Sequence, residues 1–197
     1  MKKLPAVIAV LAAAIAGSII AAYAASPSSY PTKAFDATYE RSNSAGVSQY
    51  RMCTDGKGHM RTETELPGQS RKEVVIFDYP RSQMLMLLDQ QKLVMKMPLT
   101  GDANLPADEA KIKALGGTSL GTKVIDGHPC HGWKYASAGK SVQTWTADDL
   151  GCMIASATYT SGDREVLHLL KFTPSAPPPD TFKTPADYKE VAGYSAH

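Results

Sequence analysis

Apolar and polar positions follow two regimes along the chain. Residues 4–22 are almost wholly Ala, Ile, Val and Leu, whereas everything after residue 30 breaks into short, partly alternating stretches divided by turn residues. Such stretches predict strands over 33–42, 49–54, 59–65, 72–78, 83–88 and 93–98. The turn Asp55-Gly56-Lys57-Gly58 tolerates positive φ, Pro80 pre-sets the φ of the turn 79–82, and residues 89–92 reverse the chain once more. One helix is predicted next. Pro106 suits its first turn, Asp108 and Glu109 suit its positive end, and Gly116-Gly117 stops it after Leu115. Strands over 122–126, 132–137, 141–147, 152–160 and 165–173 follow. The stretch 174–179 is proline-rich and leads into a tail pinned by Phe182, Pro185 and Tyr188. The fold class is therefore mainly β: a curved antiparallel sheet forming an incomplete barrel of about ten or eleven strands, with one short helix as lid or plug.

The first apolar run has a different destiny. It follows Lys2 and Lys3 and ends in Ala22-Tyr23-Ala24, the small-x-small pattern of an export signal, which places cleavage before Ala25. Residues 1–24 are then a signal peptide, 25–191 one β domain and 192–197 a C-terminal tail. A retained anchor is the alternative, since the run is nearly long enough to span. No cysteine lies near the cut to take a lipid, so the expectation is an exported, soluble monomer without a stable membrane anchor. Removing Lys2 and Lys3 leaves 19 basic residues against 19 acidic ones, which argues against nucleic acid and anionic membrane as partners.

The meander over 72–98 carries the strongest signal. Counting outward from its turns pairs Phe77 with Met84, Val75 with Met86, Met86 with Met95 and Met84 with Met97. One face then carries Val75, Phe77, Met84, Met86, Met95 and Met97. The other carries Val74, Ile76, Leu85, Leu87 and Val94, with Lys96 its lone charge. Both faces are too apolar to stand in water. The helix, through Ile112 and Leu115, can cover one, and the curl of the sheet or a ligand must close the other. Three readings of the methionine face stay open: a dry core, a cavity wall for an apolar guest, or a soft-metal site in which Met60 stands opposite Cys53.

Reactive side chains are few. Asp126-Gly127-His128-Pro129-Cys130-His131 holds metal-ligand types, but in an extended chain His128 and Cys130 point one way and His131 the other, so local spacing supplies two ligands at most. Nothing there marks a helix N-terminus or nucleophile elbow for a thiol enzyme. His59, His168 and His197 occupy ordinary positions, and no phosphate loop or paired carboxylates are visible. The expectation is a non-enzymatic protein with no catalytic residue, no metal and no cofactor. The three cysteines allow three pairings in an oxidising compartment. Cys130 and Cys152 flank Ala147, one strand to each side, about 9.5 Å apart against the roughly 7 Å a bridge allows, so a Cys130–Cys152 disulfide needs a bulge or an early strand end.

Several pieces recur in order along the chain: Tyr50-Arg51-Met52 before Asp55-Gly56-Lys57-Gly58-His59-Met60-Arg61, then Ile76-Phe77-Asp78, Met95-Lys96-Met97-Pro98, Asp126-Gly127 before Cys130, Trp145 with Asp149-Leu150-Gly151, and Phe182, Pro185 and Tyr188. In this order, over about residues 35–191, the chain resembles an uncharacterised family of exported bacterial proteins related to the lipoprotein-localisation carriers (LolA/LolB-like). The resemblance implies an incomplete β-barrel closed over a hydrophobic cavity by a helical lid, binding acyl chains or a partner's lipid group. The leading expectation is a periplasmic binding protein that holds a lipid or acylated peptide or lipoprotein against Val75, Phe77, Met84, Met86, Met95 and Met97. The alternatives are an envelope sensor or assembly accessory gripping a protein partner, and a periplasmic copper binder.

Overall fold

The alternating stretches become strands β1(Phe35–Asn43), β2(Gly46–Thr54), β3(His59–Glu65), β4(Lys72–Asp78), β5(Gln83–Leu88), β6(Leu93–Pro98), β7(Thr118–Ile125), β8(His128–Ser137), β9(Lys140–Ala147), β10(Cys152–Thr160), β11(Asp163–Thr173) and β12(Lys189–Ala192) in a computed structural model. The structure describes residues 30–192 except 67, 69–70, 100–108 and 138, with backbone alone at 109–111 and 192. The proposed signal peptide and the residues after 192 lie outside the described residues. All twelve strands form one open, curved sheet in the order β12-β6-β5-β4-β3-β2-β1-β11-β10-β9-β8-β7, not closed into a barrel. Among the described residues no helix is long and apolar enough to cross a membrane.

The meander has the register counted from its turns: Val75 opposite Met86, Phe77 opposite Met84, Met86 opposite Met95 and Met84 opposite Met97. Ser82 and Lys92 take positive φ to close its two hairpins. Strand alternation then carries one face across the sheet. Its concave side joins Val75, Phe77, Met84 and Met86 to Phe35, Ala37, Tyr39, Met52 and Met60 in the largest apolar core.

The convex side corrects the sequence expectation. The helix α1(Glu109–Ala114) covers neither face of the meander, because Ile112 packs on Trp133, Tyr135 and Val142 at the far end of the concave surface. The proline-rich tail does the covering. After a 3-10 turn over Pro179–Phe182, Phe182 and Tyr188 lie on Val74, Ile76, Leu85, Leu87 and Val94. The chain then adds β12, absent from the predicted strands, parallel to β6. Lys96, the lone charge on this side, meets Glu190 of β12 at 3.5 Å. Farther along the convex surface Arg51 bridges Asp36 and Glu63, which also receives Arg61, so this part of the sheet is wet and ionic.

Two further expectations are corrected. Met60 pairs with Thr54, not Cys53, because the β2–β3 turn centres on Lys57, with three residues rather than two between the facing Asp55 and His59; Cys53 faces Arg61, and the thioether and thiol lie on opposite sides of the sheet. The possible Cys130–Cys152 bridge is not formed, and Cys53, Cys130 and Cys152 are all free and buried. Cys130 and Cys152 both pair with Ala147 from opposite sides, two strand spacings apart. The bulge in β10 falls after Met153 and leaves that separation in place.

Candidate functional site

Cross-strand register sorts the concave surface of β1–β6 into rows. One row runs Phe35, Thr54, Met60, Phe77, Met84, Met97, and the next runs Ala37, Met52, Thr62, Val75, Met86, Met95. The third, Tyr39, Tyr50, Thr64 and Glu73, turns polar, and the fourth begins with Arg41 and Ser48. Arg71 precedes Glu73 by two positions. The trough is thus apolar at one end and hydrogen-bonding at the other.

The structure brings all six predicted site residues onto this one face. Val75, Phe77, Met84 and Met86 are buried, while Met95 and Met97, on the side toward β12, are half-buried with Leu88 and Leu99. At the helix end of the same face a void of about 10 Å³, lined by Tyr135, Val142, Thr144, Met153 and Leu167, holds at most one water.

The polar end is tightly built. Arg41 donates from Nε and Nη2 to Glu165 Oε2 at 2.8 and 2.5 Å. Tyr39 donates its hydroxyl to the Met153 carbonyl at 2.9 Å. Burial raises the Tyr50 hydroxyl well above the usual phenol range. Burial also pushes Glu73 up to about 7, against the pull of Arg41 and Arg71. Three buried side-chain atoms have no hydrogen-bond partner among the described residues: Ser48 Oγ, Arg71 Nε and Glu73 Oε1. Sequence reasoning missed this cluster. The available signal was alternation itself, which sets Glu73 in phase with Val75 and Phe77, and Arg41 in phase with Phe35, Ala37 and Tyr39.

The histidine segment comes together differently from a metal site. His128 Nδ1 lies 2.7 Å from Asp149 Oδ2, His131 Nδ1 lies 2.5 Å from Asp148 Oδ1, and His168 Nε2 lies 3.0 Å from Asp126 Oδ2. Asp149 is held below its usual range by the His128 hydrogen bond. Among the described residues no three His, Cys, Asp or Glu side chains gather as a metal set. A second hollow, about 420 Å³, opens on the convex side where the tail crosses the turns, lined by Asp55, Lys57, His59, Asp78, Arg81 and Phe182. His59 Nδ1 sits 2.7 Å from Asp55 Oδ2 there, and Arg81 donates to Asp78 at 2.8 Å.

A family model described as a domain of unknown function (DUF4412) matches residues 41–167, from within β1 to within β11, a span that includes the trough apart from Phe35, Ala37 and Tyr39. No curated protein matches the chain. Among solved structures, an uncharacterised conserved protein from Thermus thermophilus superposes with a TM-score of 0.61 at 11% identity, over 82% of this chain and 91% of that one. MucB, in its complex with MucA from Pseudomonas aeruginosa, gives 0.53 at 14% identity, over 84% of this chain and 60% of that one. A LolA superfamily protein from Nitrosomonas europaea gives 0.42 at 11% identity, over 81% of this chain and 94% of that one.

Proposed function

Because this chain belongs to the DUF4412 family, whose function is unknown, we propose from its geometry that it is a non-enzymatic periplasmic protein that holds the acyl chain of a lipid or acylated peptide in the concave trough. One observation carries the reading: Val75, Phe77, Met84, Met86, Met95 and Met97 share a single curved face, with the last two half-buried on its β6 side. Unbranched thioethers repack around chains of varied shape. Burying ten methylenes at about 0.8 kcal/mol each yields ~8 kcal/mol, enough to offset the lower part of the roughly 4–15 kcal/mol that association costs. The apolar run over 4–22 and the small-x-small site at Ala22-Tyr23-Ala24 support export.

Native mass spectrometry after mild purification, with titration by the neutral probe N-phenylnaphthylamine, tests this. The expected result is co-purifying lipid-sized adducts and saturable probe uptake that falls when Met84 and Met86 are replaced by serine. Bare protein that takes up no probe refutes it.

A second reading has its own observation. Among the described residues strand β7 is an edge, with one side unpaired, and it displays Leu120 and Val124, the latter 70% exposed. An open edge accepts a strand from a protein partner, and MucB, of the same fold, is seen in complex with MucA. Stoichiometric capture of one envelope protein, lost when Val124 becomes proline, favours this reading.

A further inference from the structure

A buried polar atom left unpaired costs about 1–3 kcal/mol, so three within one patch that find no partner among the described residues call for one. Ser48 Oγ, Arg71 Nε and Glu73 Oε1 form such a patch, at the end of the trough opposite the Phe35 and Phe77 row. Their chemistry is mixed. Arg71 Nε–H needs an acceptor, Glu73 Oε1 needs a donor when ionised, and Ser48 serves either way. Charge is balanced as well: Arg41 is neutralised by Glu165 at 2.5 Å, and Arg71 and Glu73 oppose each other. Because arginines and carboxylates stand together here, a head of either sign would bury its charge beside a like charge as well as an opposite one, whereas an uncharged head avoids that repulsion.

From this we propose that the Ser48–Arg71–Glu73 patch is a head-group subsite for a single-chain amphiphile whose head is uncharged and bears hydroxyl groups, of the monoacylglycerol class. The chain runs from the patch over Met86 and Met84. A hydroxyl suits the site because it donates to an ionised carboxylate and accepts from a protonated one, and Glu73, pushed up to about 7, populates both forms near neutral pH. The inference rests on the trough being the binding site, and it adds the orientation and class of the guest.

The test is displacement of N-phenylnaphthylamine from delipidated protein by three ligands of one chain length: 1-monopalmitoylglycerol, methyl palmitate and palmitate. The expected result is that the monoacylglycerol displaces the probe at roughly tenfold lower concentration than either of the others, the size of one hydrogen bond to a charged group. Glu73→Leu and, separately, Ser48→Ala bring that ratio toward one while the methyl palmitate curve stays put. Ser48→Ala keeps the measurement decisive if Glu73→Leu fails to fold by circular dichroism. A wild-type ratio of one, a ratio unchanged by both variants, or tightest binding by palmitate overturns the subsite while leaving the trough standing. Absence of probe binding to the wild-type protein overturns both.

Discussion

Tyr188 donates its hydroxyl hydrogen to the carboxylate of Asp89, fastening the tail to the tip of the β5–β6 hairpin. Lys92 completes the latch, with its Nζ 5.0 Å above the Tyr188 ring, 3.3 Å from Asp187, and its carbonyl accepting from the Lys189 N–H at 2.8 Å. The ring and its neighbour Phe182 are what keep Val74, Ile76, Leu87 and Val94 out of water.

Tyr188→Ala should therefore cost about 2 kcal/mol of unfolding free energy, the worth of a half-buried aromatic together with the core it shields, while Tyr188→Phe should cost under about 1 kcal/mol. Urea denaturation followed by tryptophan fluorescence reads both. Equal midpoints for Tyr188→Ala and the wild type show that the tail does not seal the convex core.

The meander was legible in the sequence because side chains repeat with period two and its turn residues locate the reversals, so Met86 could be set opposite Met95 by counting. What covers it was not legible. Strand β12 is four residues long, pairs in parallel, and meets Leu93 from a distance of almost a hundred positions, so neither alternation nor a hairpin turn announces it. The position of α1 was likewise a tertiary outcome: Ile112 is apolar wherever the helix lies, and only packing chose Trp133 over the methionines. The polar end of the trough was half visible. Glu73 alternates correctly with Val75, but the arginine that faces it comes from β1 and the ion pair that neutralises that arginine from β11.

Glu73 makes stability depend on pH in a definite direction. Its carboxyl titrates near 4.5 when unfolded and about 7 in the fold, chiefly because burial penalises the charged form, with Arg41 and Arg71 opposing. The unfolded chain thus releases this proton first, and the group's contribution is full below about 4.5, shrinks as pH rises, and reaches a constant penalty above about 7. Glu73→Gln should melt higher than the wild type at pH 8 and match it near pH 4.5. Differential scanning calorimetry at the two values decides the matter, and an identical offset at both contradicts the assignment.

The thiols supply a second, alkaline window. Burial raises Cys53 to about 11 and Cys152 to about 12, and lifts Cys130 above its ordinary 9. Buried and protonated, none should react within minutes with dithionitrobenzoate at pH 8 in the native protein, whereas guanidinium should expose all three. A folded value above the unfolded one means stability is full below about 9 and falls as pH climbs toward 11 and 12. Replacing Cys53 and Cys152 by alanine should flatten that decline. Fast labelling of a native thiol contradicts the burial, and labelling of only one thiol after denaturation reveals a disulfide.

Trp145 and Gly132 stand opposite each other on β9 and β8, and a Cβ placed on Gly132 would meet the indole at 2.6–2.7 Å. The missing side chain is what lets the ring lie flat across the neighbouring strand, where Lys123 Nζ caps it at 3.8 Å. Here glycine is required by close approach rather than by turn geometry. Gly132→Ala forces the ring to tilt off the sheet, which should cost about 1–3 kcal/mol through overpacking and the lost cation–π contact. Shrinking the ring relieves the clash, so Gly132→Ala combined with Trp145→Leu should lose less than the two single costs added together. A double-mutant cycle in urea measures this directly, and additive losses mean that the two residues do not constrain each other.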